Sequence, residues 1–215
     1  VLDAVPLIIP AIPFAFVIGV AVTDAGLSPL VGWSSAPVIF AGAAQLTLIT
    51  LLGAGAAWGA AVAAALVVNA RHAMYSLALA PVFQRQPAWF RWFGPHLLID
   101  QMFVLAEARR ADPPDEFRRY YLAAGLSFVL FWCSTVALGL VVGPGVPTDW
   151  GLEFAIPVMF TGMLIGGLDR SPKWIAALVA AAVTVACAGV PNRAGLLIGA
   201  AAGIVAGVLA DRGRR

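Results

Sequence analysis

Residues 57–82 read AWGAAVAAALVVNARHAMYSLALAPV, and this stretch decides the fold. Its first half is apolar. It then admits Asn69, Arg71, His72, Tyr75 and Ser76 and turns apolar again from Leu77 to Phe83. A helix needs about 20 apolar residues to cross the ~30 Å hydrocarbon layer of a bilayer, and this run exceeds that length. It predicts a transmembrane helix that carries polar groups inside the membrane.

The rest of the chain follows the same pattern. Of 215 residues, 61% are hydrophobic and 11% charged, against roughly 45–50% and about 25% in a soluble domain. A water-soluble chain of this length cannot hide so much apolar surface in one core, so lipid is its solvent. Apolar runs near 5–24, 36–52, 57–82, 93–108, 120–142, 152–168, 173–190 and 193–210 are separated by proline, glycine and charge. They predict an all-α, polytopic bundle of seven or eight spans forming one permease domain over 1–215. The fourth run is short and carries Asp100 and Glu107. It reads as a crossing, a re-entrant segment or a buried segment, and seven spans result if it does not cross. No room is left for a soluble catalytic or nucleotide-binding domain.

Basic residues orient the bundle. Arg109, Arg110, Arg118 and Arg119 form the richest cluster, diluted by Asp112, Asp115 and Glu116, and the tail adds Arg212, Arg214 and Arg215. Residues 143–151 contain no Lys or Arg. Cytoplasmic loops hold the excess of Lys and Arg, so 109–119 and the C-terminus are expected inside and 143–151 outside. The N-terminus is then inside with eight spans and outside with seven. The opening apolar run, which starts at Val1, lacks the basic flank and cleavage site of a signal peptide. AIPFAFVIGV at 11–20 and AIPVMFTGML at 155–164 share Ala, Ile, Pro and Phe at the same offsets. An inverted repeat with halves near 1–110 and 111–215 would produce this echo, as would chance in low-complexity apolar sequence.

Several constellations bear on function. At 100° per residue Asn69, His72 and Ser76 fall within about 60° of one another, with Arg71 and Tyr75 on the adjoining arc. Arg inside an apolar helix costs about 2.5–3.5 kcal/mol on insertion scales. Two readings follow: a helix end at the interface with Arg71 snorkelling, or a substrate or proton site facing protein or a water-filled cavity. Asp100 and Gln101 are the natural partners, with Arg71 pairing Asp100. His72, an imidazole with an unperturbed pKa near neutral pH, suits proton coupling. His96 and Asp100 are spaced to share a helix face, one residue short of the His-to-Asp spacing of a membrane acyltransferase. Gln45, at the end of FAGAAQ (40–45), is a lone amide among small residues; it reads as interhelical glue or as a substrate contact. Pro10, Pro13 and Pro157 remove backbone donors and free carbonyls, and broken helices are tolerated in membranes where they line a cavity or find internal partners. Gly195, Gly199, Gly203 and Gly207 form a four-residue stripe for close helix contact, within the chain or with another subunit.

No nucleophile, phosphate-binding or metal-ligating motif is present, no cofactor or metal is expected, and the chain does not read as an enzyme. Cys133 and Cys187 lie in apolar runs as small packing residues. No basic face for nucleic acid exists.

FAGAAQ, then N-A-R-H-x-x-Y-S-L-x-L-A-P at 69–81, then I-D-Q at 99–101 before a charged loop, resembles the AzlC family over about 35–110. The proline-containing first span and glycine-rich tail agree more loosely. The resemblance implies the large subunit of a two-component exporter of branched-chain amino acids (leucine, isoleucine, valine, in some members methionine) in the bacterial inner membrane. It also implies a small AzlD-type membrane partner. The family's polar signature falls on Gln45, Asn69, Arg71, His72, Tyr75 and Asp100, while Gln101 stands where members often carry a second acid. Nothing in the chain binds ATP, so secondary transport driven by the proton gradient is expected.

Overall fold

In a computed structural model the described residues are 2–145, 168–189 and 194–212, with 154, 157, 161, 164 and 165 between them. Among them the regular structure is helical, with no strand. The chain divides into two compact units, Val1–Met159 and Phe160–Arg215.

The first unit opens with a short 3-10 turn and α1 (Val5–Ile8), then α2 (Ala11–Asp24). The two helices meet at 52°. The bend falls at Pro10, whose missing N–H and fixed φ favour a helix start over a helix interior. Next come α3 (Pro29–Ile39), α4 (Gly42–Gly53), α5 (Trp58–Phe83), α6 (Ala88–Phe93), a 3-10 turn at Gly94–Leu97, α7 (Asp100–Ala108) and α8 (Pro114–Val142). Helix α8 starts on Pro114 with Asp115 and Glu116 in its first turn, the residue types that suit a helix N-terminus. By length and composition α5 and the Pro114–Gly145 helix can each cross a membrane among the described residues, and a third crossing results if the bent α1–α2 pair is one span.

Helix α2 lies against α8 because glycine removes the side chains at their crossing. A Cβ on Gly19 would strike the Val136 carbonyl and the Gly139–Leu140 backbone, and one on Gly139 would strike the Phe16 carbonyl. Phe14, Ile18, Phe128, Trp132 and Val136 fill the interface and are essentially fully buried. Nearer the start of α8, Phe83, Phe90, Phe117 and Tyr121 pack ring on ring. There the Tyr121 hydroxyl donates to the Gly94 carbonyl at 3.0 Å. This cluster ties the end of α5 and, through Phe90, α6 to α8.

Two expected continuous runs are broken. The run at 36–52 is interrupted at Phe40, whose backbone is left-handed (φ 41°, ψ 45°), so α3 and α4 are separate helices. The run at 93–108 is interrupted between the 3-10 turn and α7, at Leu98–Ile99. Helix α7 has nine residues, about 14 Å of rise, far short of the ~30 Å layer. His96 and Asp100 therefore do not share a helix face. The two breaks are joined: His96 Nε2 lies 2.9 Å from the Pro37 carbonyl oxygen. That oxygen is one of the carbonyls orphaned at the end of α3. A carbonyl only accepts, so His96 carries its proton on Nε2 here.

The second unit contains α9 (Ser171–Ala186) and α10 (Ala194–Arg212). Its packing is set by the glycine stripe. A Cβ at Gly195 would meet the Cys187 carbonyl, at Gly199 the Thr184 hydroxyl, at Gly203 the Ala176 carbonyl and at Gly207 the Ala176 methyl. The stripe's partner is α9 of the same chain. The run at 152–168 and the loop at 143–151 lie largely outside the described residues, as do most of the echo at 155–164 and the tail arginines Arg214 and Arg215.

Candidate functional site

The polar arc of α5 meets α7 at its first residue. Arg71 and Asp100 form the expected ion pair, Nη2 to Oδ2 at 3.1 Å, with the two side chains 23% and 16% exposed. The other carboxylate oxygen accepts from the Tyr75 hydroxyl at 2.7 Å. One carboxylate thus holds two side chains placed one helical turn apart on α5, as the i, i+4 spacing allows. The Tyr75 ring is stacked on Phe103 at 4.5 Å between centroids and 16° between planes. Phe103 sits three residues after Asp100 and so on the same side of α7.

The location follows from the break before α7. Asp100 opens the helix after the extended Ile99, with no side-chain cap on Ile99. A carboxylate in the first turn is favoured by the unsatisfied N–H groups there. In an unbroken helix the position would lie among apolar turns. Here the chain delivers it to α5 with two partners waiting, and a low-dielectric setting makes each of those partners count.

Asn69 and His72 extend the cluster. His72 packs edge-to-face on the Tyr75 ring at 5.6 Å, and its Nδ1 lies 3.3 Å from the Asn69 carbonyl oxygen. That contact puts the hydrogen on Nδ1 and leaves Nε2 as an acceptor in the neutral ring. The Asn69 side-chain oxygen is buried without a hydrogen-bond partner among the described residues. A buried acceptor left unmet costs about 1–3 kcal/mol, and a donor brought by a ligand relieves it.

The remaining candidates lie differently. Ser76 is exposed. Gln101 is buried on α7. Gln45 is fully buried, and its hydrogen bonds run elsewhere. Its amide nitrogen donates to Ser35 Oγ at 2.8 Å, and its oxygen accepts from Trp132 Nε1 at 3.1 Å. It ties α4 to α3 and α8, which is the glue reading of that residue. Sequence reasoning did not single out Phe103, Ser35, Trp132 or the His96–Pro37 link. The one readable signal was the three-residue spacing of Phe103 from Asp100; Ser35 meets Gln45 across the α3–α4 break, and the Trp132 and His96 contacts join distant parts of the chain. Among the described residues no cluster of His, Cys, Asp or Glu has the arrangement to hold a metal ion.

Residues 6–146 match the family described as AzlC protein. The chain is similar to inner membrane protein YgaZ of Escherichia coli K12, at 27% identity over 96% of this chain and 86% of that protein. It is also similar to an uncharacterized membrane protein of Archaeoglobus fulgidus, at 28% identity over 76% of this chain and 72% of that one. A Helicobacter pylori (strain 26695) membrane protein, likewise uncharacterized, is 27% identical over 69% of this chain and 65% of its own length. No solved structure matches.

Proposed function

The chain belongs to the AzlC protein family, and from that premise we propose that it is a permease subunit exporting branched-chain amino acids by proton-coupled alternating access. It works as a multi-pass protein of the bacterial inner membrane, in company with a small AzlD-type membrane subunit, and it is not an enzyme. Leucine, isoleucine and valine are its substrates, with methionine a further candidate.

The observation that carries this reading is the Arg71–Asp100–Tyr75 cluster beside a helix break. A charge held in a low-dielectric setting must be met by its opposite. Within the chain Arg71 and Asp100 meet one another. An amino-acid zwitterion brings a carboxylate and an ammonium together, so it can enter between them with no net charge transferred into the membrane. Its carboxylate goes to Arg71 and its ammonium to Asp100, with the Asn69 oxygen as a second acceptor. The branched side chain takes an apolar pocket. His72, against the Tyr75 ring, is the group proposed to move a proton.

The ion pair between Asp3 and Arg109, at 3.0 Å, bears on the span count. It supports one side of the membrane for the N-terminus and the 109–113 loop, hence an even number of crossings between them. An even count speaks against the seven-span arrangement; it is met by two crossings, the bent α1–α2 pair and α5, or by the four that the eight-span arrangement places before residue 109. A second reading, a non-transporting assembly subunit, would use the glycine stripe to hold another subunit, and in this chain α9 packs against that stripe. A membrane-embedded enzyme would need a nucleophile motif or a metal-ligand set, and the sequence carries neither motif.

Vesicles reconstituted with this chain and its partner should show leucine or isoleucine counterflow. The Asp100→Asn variant should lose it while remaining inserted. Counterflow from the partner alone would overturn the assignment in favour of the assembly reading.

A further inference from the structure

At one end of the α9–α10 pair lies an open groove of about 630 Å³. Its rim carries Arg170, Lys173 and Arg212, and its wall is apolar: Ala176, Ile204 and Val208, floored by Gly207 and Pro172. Two carboxylates stand by. Asp169 receives Lys173 at 2.8 Å and Arg170 at 3.7 Å, and Asp211 lines the groove. The hydrogen bond from Lys173 holds Asp169 below the usual carboxylate range. Three cations still outnumber two acids at the groove, and the Arg170 side chain is 67% exposed.

The geometry points to a binding site for the headgroup and upper acyl chain of an anionic phospholipid. The charge complementarity is to a phosphate. The apolar wall next to it has no use for a water-soluble anion but fits the first methylenes below a glycerol backbone. The position agrees, because α9 and α10 are apolar helices and the rim sits at their ends, where headgroups lie. Basic pockets between membrane helices on the cytoplasmic side are where anionic headgroups collect. The site is separate from the Arg71–Asp100 cluster, lies wholly within the second unit and assigns it a ligand. It does not depend on what the first unit transports.

Native mass spectrometry of the full-length chain, delipidated and offered equal phosphatidylglycerol and phosphatidylcholine, tests this. Phosphatidylglycerol should be retained preferentially. Arg212→Gln should lower that retention about fivefold, the worth of one juxtamembrane cation. Ile204→Trp fills the groove without changing charge and should lower it as well. If Arg212→Gln does not fold, Ile204→Trp alone decides. Millimolar inorganic phosphate should not displace the lipid. Equal retention of the two lipids by the unaltered chain would overturn the proposal. Undiminished phosphatidylglycerol binding by Ile204→Trp, or displacement by phosphate as efficient as by phosphatidylglycerol, would do the same.

Discussion

Asp100 is the residue on which the site turns, because two partners on another helix converge on its one carboxylate. Tyr75→Phe removes a hydrogen bond to a charged group and leaves the ion pair standing. Such bonds contribute about 1.5–3 kcal/mol, so this variant should be destabilised within that range, read as a shifted unfolding midpoint in detergent. Exchange of the two charges is a sharper test. Arg71→Asp and Asp100→Arg should each abolish insertion or transport alone, and the double variant should recover part of it. A double variant as poor as either single one would mean that the pair is incidental.

At the scale of the element, glycines decide which helices touch. Gly139 has no room for a methyl group, because the Phe16 carbonyl occupies the place of its Cβ. Gly59, at the start of α5, has nothing within 4 Å of that place. The two should answer substitution oppositely. Gly139→Ala forces α2 and α8 apart and should cost about 1–3 kcal/mol, the usual range for overpacking. Gly59→Ala removes only backbone freedom and should be neutral or stabilising by up to about 1 kcal/mol. Denaturation midpoints of the two variants in one detergent check this. The α3–α4 break follows a different rule. A left-handed Phe40 costs about 1–2 kcal/mol against a right-handed one, and its burial, together with its ring contact to His96, is what holds it there.

For the whole molecule the question is which ends share a side of the membrane. The Asp3–Arg109 pair brings the N-terminal turn to the loop before α8. Reporter domains active only in the cytoplasm should therefore agree at the N-terminus and within 109–113, and positive-inside bias puts the C-terminus with them. Opposite signals at residues 3 and 112 would rule out an even count between them.

The amino-acid sequence by itself determined that the chain lives in lipid, that it is helical, where α5 runs and where α8 ends, and that α5 carries one polar arc; α8 begins at Pro114, inside the stretch expected to be a loop. These properties are local. Composition sets the solvent, and a period of 3.6 residues sets which side chains share a face. It also showed that α10 has a smooth glycine face. Only the tertiary structure decided that α9 covers that face, that Asp100 reaches Arg71 and Tyr75 together, and that Gln45 is spent on Ser35 and Trp132. It also decided that two apolar runs break at Phe40 and at Leu98–Ile99. The residues at the breaks, Phe, Leu and Ile, are ordinary helix residues; the local signals are only flanking ones, Pro37 and Gly42 about the first break and Gly94–Pro95 before the second. The backbone leaves the helix there because packing against distant segments, including a histidine far along the chain, outweighs the turns it gives up.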